Sequence, residues 1–67
     1  MENTILSIIK LAISDNHCNY NERMRYLNLA SRGLPIYTYS LLLKQFDYAL
    51  EYGIDALVIR YPELLQA

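Results

Sequence analysis

Near the start of the chain, Ile5, Ile8, Ile9, Ala12 and Ile13 recur at i, i+3, i+4, i+7 and i+8, while Asn3, Ser7, Lys10 and Ser14 take the opposite side. That period predicts an amphipathic helix over 3–14. Leu6 and Leu11 carry the apolar stripe past one face, which predicts cover on more than one side. The run SDNHCN then breaks the helix, because short polar side chains compete for backbone hydrogen bonds. Asn19 stands three residues before Glu22, an asparagine version of the capping box, with Asn21 as the other candidate cap. In the second helix Tyr20, Met24, Leu27, Leu29 and Ala30 form the inward side. Asn21, Arg25, Asn28 and Arg32 form the outward side. Gly33 suits a left-handed turn at its end, and Pro35 prevents continuation.

From Tyr39 the period is again helical: Tyr39, Leu42, Leu43, Phe46, Ala49 and Leu50 line one face, and Ser40, Lys44, Asp47 and Glu51 the other. Gly53 is the expected terminator, with Ile54 placed to pack back on the last turn. Asp55 is a candidate cap for a short fourth helix, ALVIRY, which Pro62 stops. Two short runs admit a second reading. Ile36 to Tyr39 is β-branched and aromatic, and Ala56 to Tyr61 is too short to settle its own period. The expected fold is therefore all-α, one domain over 1–67, a small bundle of three main helices plus a short C-terminal fourth. The alternative is a small α/β fold with a two-stranded parallel βαβ unit at 36–61, although such a pair has little independent stability without a third strand.

The stretch from Gln45 to Leu65 resembles a DNA-binding helix-turn-helix. Gln45 would open its first helix, Ala49 would be the small contact residue, Gly53 would hold the turn, and Ile54 and Ile59 would plug into the core. The resemblance implies a nucleic-acid-binding regulator, but its residues are those a helical corner needs, whatever it binds. A reader of DNA also needs base-contacting groups and nearby cations. Here Asp47, Glu51 and Asp55 have the wrong sign, and Arg60 stands almost alone. Arg23, Arg25 and Arg32 make the second helix basic; with Arg60 they are the candidate contacts for this alternative. Their bland reading is a solvated face that pairs with the acidic side of the third helix within or between subunits.

Composition narrows the classes further. With 67 residues, one cysteine and one histidine, the chain has no internal disulfide and no Cys/His zinc site. A domain this small buries only about 60% of its unfolded surface, so a partner subunit is the support that remains. The hydrophobic fraction of 54% excludes a disordered tail. No apolar run reaches bilayer length, and Glu2 beside the initiator predicts no secretory signal. One unpaired thiol points to the cytoplasm. A net charge of −1 gives no general pull toward nucleic acid or acidic lipid.

Candidate chemistry is sparse. His17 and Cys18 could be base and nucleophile, but sequence neighbours rarely face each other and no oxyanion donors accompany them. Asp47, Glu51 and Asp55 fall at i, i+4 and i+8, short of the six or more oxygens that a hard cation takes. The first helix has too few cations on its polar face for an interfacial membrane helix. Neither catalysis, a metal, a cofactor nor a small-molecule substrate is expected. The seven tyrosines are the unusual feature. Tyr37, Tyr39, Tyr48 and Tyr52 are read as a ribbon on one side of the third helix, a candidate contact site. The expected function is that of a small cytoplasmic regulatory or adaptor protein. It would act on a protein partner through an aromatic–apolar helical face, with a homodimer as one form of that contact.

Overall fold

A computed structural model describes residues 3–66. Its elements run α1 (Thr4–Ile13), α2 (Tyr20–Ala30), α3 (Ile36–Tyr52), α4 (Ile54–Arg60) and a closing 3-10 turn (Pro62–Leu65). No strand occurs among these residues, so the chain is a small all-α bundle, and the βαβ alternative at 36–61 is set aside. No helix of the described residues is long and apolar enough to cross a membrane.

The elements begin where local chemistry satisfies their free amides. Asn3 caps α1, its side chain accepting from the Ile5 N–H at 2.7 Å. Asn19 and Glu22 complete the expected capping box: Asn19 Oδ1 accepts from the Glu22 N–H at 2.8 Å, and Glu22 Oε1 accepts from the Asn19 N–H at 3.2 Å. Between α1 and α2, Arg23 reaches back to donate to the carbonyls of Ala12 (3.1 Å) and Asp15 (2.9 Å). The guanidinium thus serves the Ala12 carbonyl, which the end of α1 leaves without a helical partner, at the negative end of the helix dipole, and ties it to the loop carbonyl of Asp15.

α3 starts three residues before the helical period becomes readable. Pro35 is its N-cap at φ −57° and ψ 151°, and its carbonyl accepts from the Tyr39 N–H at 3.0 Å. The run IYTY is therefore the first turn of a helix. With no neighbouring strand to pair with, its β-branched composition is outweighed by continuity with the amphipathic stretch that follows. The run 56–61 is likewise not a strand. Leu57 is fully buried, with Ile54 and Val58 packed beside it at helical spacing.

One core results. Leu6, Ile9, Leu27, Leu42, Phe46 and Leu57 are all fully buried within it. α1 occupies the middle, packed by α2, α3 and the 3-10 turn, while α3 and α4 meet at a corner. Leu6 is covered as the wide stripe required, but Leu11 lies outside. In α2 only Leu27 is buried, and Tyr20, Leu29 and Ala30 of its expected inward side are exposed. This helix is held by one fully buried side chain, by Met24 and the Tyr20 ring at the core's edge, and by several polar contacts. The 3-10 turn adds a core residue that the sequence pattern does not mark: Pro62 ends α4, and the turn it begins folds Leu64 inward.

Gly53 alone makes the corner, ending α3 and starting α4 at φ 92° and ψ 167°. That combination is nearly exclusive to glycine, and not the left-handed helical region expected of a terminator. Its amide donates to Ala49 at 2.8 Å and its carbonyl accepts from Leu57 at 3.1 Å. The cap of α4 is therefore Gly53 and not Asp55, which lies in the first turn and favours the dipole only by its charge. A Cβ at Gly53 would meet nothing within 4 Å, so the cost of substitution is purely conformational. Gly53→Ala is expected to destabilise the fold by about 1–3 kcal/mol, measured as a lower urea midpoint with an unchanged slope.

Candidate interaction face

The outer side of α3 carries a second stripe, distinct from the one in the core. Tyr37, Leu41, Lys44, Tyr48 and Tyr52 follow one another at steps of four, three, four and four residues, so they lie along one face of the 17-residue helix. Tyr37 is 78% exposed and Tyr52 58%, while Leu41 and Tyr48 are half-buried and Lys44 is exposed. At the N-terminal end of the stripe Tyr37, Ser40, Leu41 and Lys44 line an open depression of about 300 Å³.

The C-terminal end is an aromatic cluster. The rings of Tyr48 and Tyr52 are 4.7 Å apart at 46°, and Tyr61 stands edge-on to Tyr48 at 6.0 Å and 88°. The Arg60 guanidinium lies 5.5 Å from the centre of the Tyr61 ring. Tyr61 and Arg60 arrive from beyond the Gly53 corner, so the pattern of α3 alone could not have placed them here.

Of the tyrosines expected to form a ribbon, three share this face and one does not. Tyr39 turns toward α2, where its hydroxyl donates to Asn28 Oδ1. Tyr37 and Tyr48 share the face but are eleven residues apart, about 16 Å along the helix axis.

The corner departs from the helix-turn-helix resemblance. Gln45 lies inside α3 and is 2% exposed; among the described residues no buried side-chain nitrogen or oxygen lacks a hydrogen-bond partner. Ile59 does not plug the core; it is 80% exposed, because Ile54, Leu57 and Val58 fix the phase of α4 and turn it outward. The four arginines of the nucleic-acid alternative sit on different elements or have different partners. Arg23 is committed to α1, Arg25 and Arg32 are exposed on and just beyond α2, and Arg60 lies against Tyr61.

The remaining candidates stay dispersed. Asp15 organises the loop before α2, its carboxylate accepting from the His17 N–H at 2.8 Å. Burial, reinforced by Asp15, raises the Cys18 thiol above its ordinary value, with Glu22 adding to the rise and Arg23 opposing it. The imidazole of His17 is not among those influences. Among the described residues no group of three His, Cys, Asp or Glu side chains is placed to hold a metal ion. Asp47 instead accepts from the Tyr20 hydroxyl at 3.4 Å, and burial followed by Asp47 raises that phenol's pKa.

Compared with protein-family models, curated proteins and solved structures, the chain matches none.

Proposed function

We propose that the protein is a small regulatory or adaptor protein that acts by protein–protein contact through the outer face of α3. The observation behind this reading is the stripe itself: large phenolic rings, two of them more than half exposed, aligned on a helix that buries Leu42, Phe46 and Ala49 from another side. Tyrosine and arginine are the residues that most often dominate the energy of protein interfaces, and the Tyr48–Tyr52–Tyr61–Arg60 cluster gathers both. Rings held against one another lose little further freedom on binding, which favours such a cluster as an anchor. The raised Cys18 thiol works against a thiolate nucleophile at that position.

The double substitution Tyr37→Ala and Tyr52→Ala tests the proposal. Both side chains project from the surface, so helix content by circular dichroism is expected to stay unchanged. Association, whether with another copy or with a protein captured from native cell extract, is expected to weaken by about a hundredfold, as loss of two anchor side chains would give. Equal association of the variant and the parent rejects this face.

A further inference from the structure

We infer that the occupant of the α3 face is the α3 face of a second copy, laid antiparallel across a two-fold axis. This rests on the reading of that face as a protein-contact surface and adds the partner's identity and direction.

The spacing supports a helix as occupant. Tyr37, Leu41, Lys44 and Tyr48 alternate steps of four and three, and the next step of three reaches Glu51, with Tyr52 beside it. That is the alternation of a helix-pairing seam, in which one polar residue at a seam position fixes register and direction. Here Lys44 and Glu51 are the polar seam positions. The depression bounded by Tyr37, Ser40, Leu41 and Lys44 is a hole of the kind a side chain from a facing helix enters.

Charge supports a second copy, and one direction. The only cation of α3 is Lys44, while its carboxylates, Asp47 and Glu51, both lie C-terminal to it. A parallel pair would set Lys44 against Lys44 and Glu51 against Glu51. An antiparallel pair staggered by about one turn sets Lys44 of each copy against the Tyr48–Glu51 half of the other. There the ammonium meets the Tyr48 ring and the Glu51 carboxylate. In a two-fold pair that contact occurs twice, because each patch complements itself. Staggered by a turn, the two helix faces overlap over about 20 Å, so the interface is small and the affinity in the micromolar range or weaker.

Sedimentation velocity of the purified protein over a concentration series is the test, run at low and high salt. The wild type is expected to pass from monomer to dimer, less readily as salt rises. Lys44→Glu and Glu51→Lys are each expected to raise the dissociation constant about tenfold, since each puts like charges across both symmetry-related contacts. Both residues are exposed, so circular dichroism is expected to report an intact fold. Mixed in equal amounts, the two variants are expected to recover a dimer, because the carboxylate introduced in one then faces the ammonium introduced in the other. A wild type that stays monomeric to about 1 mM overturns the inference, as does a dimer indifferent to both reversals. If the monomer nevertheless loses a captured protein on Tyr37→Ala and Tyr52→Ala, the contact face stands and only its occupant is wrong. If nothing is captured, both fall.

Discussion

Phe46→Ala is expected to lower the melting temperature by roughly 15–30 °C. Phe46 is fully buried on the inner side of α3, between Leu42 and Ala49, with the Tyr20 ring tilted over it at 6.2 Å. Removing a buried phenyl ring costs about 3–5 kcal/mol, part lost transfer energy and part unfilled cavity. A chain of this length has a total stability of roughly 3–10 kcal/mol. At about 4–8 °C per kcal/mol, the loss takes much of the margin. Partial collapse of the cavity would require α2 to move, because Tyr20 roofs it from there. Thermal melting followed by circular dichroism reads the outcome. A shift under about 5 °C would mean that Phe46 is not central to the core.

Leu27→Ala is the second large effect, and its expected signature is local. Leu27 is the one fully buried side chain of α2, and a Leu→Ala change at such a site costs about 2–5 kcal/mol. What then holds α2 is only partly buried: Met24 at the edge of the core and the Tyr20 ring over Phe46, with Arg23 on the end of α1, Tyr20 on Asp47, and Tyr39 on Asn28. Exposed polar contacts contribute little each, so α2 should open while α1 and α3 remain paired. Amide hydrogen exchange is expected to show loss of protection over 20–30 well beyond any loss in α3. Uniform loss across all helices would show instead that α2 is an integral part of one cooperative unit.

How far the sequence reaches depends on the range of the interaction. The i, i+3, i+4 pattern of Ile5, Ile8, Ile9 and Ala12 and the Asn19–Glu22 box are local, and both are readable. Gly53 is identifiable as a terminator, because few other residues end a helix with positive φ. The conformation it adopts is not, since that depends on how α4 meets the core. Ile36 to Tyr39 misleads because propensity there favours a strand, while the deciding factor is continuity with the helix after it. The same ambiguity explains the ribbon of tyrosines. Tyr37 and Tyr39 share a side only at the two-residue period of a strand; in a helix, residues two apart diverge, and Tyr39 turns to α2. Analogy with a corner motif places Ile59 in the core, and its exposure follows from the phase set by Ile54 and Leu57. Lys44 reads first as part of a polar face, although its place in a three–four alternation is open to reading. Tyr61 joins the cluster through tertiary contact alone.

The association of helices through the outer side of α3 is best tested by nuclear magnetic resonance of the labelled protein over a concentration series. Backbone and side-chain signals of Tyr37, Leu41, Lys44, Tyr48 and Tyr52 are expected to shift together as concentration rises, while those of Leu6, Ile9 and Leu27 hold still. Signals at the α3 stripe that stay constant, with movement confined to Leu29 or Ile59, would contradict the account.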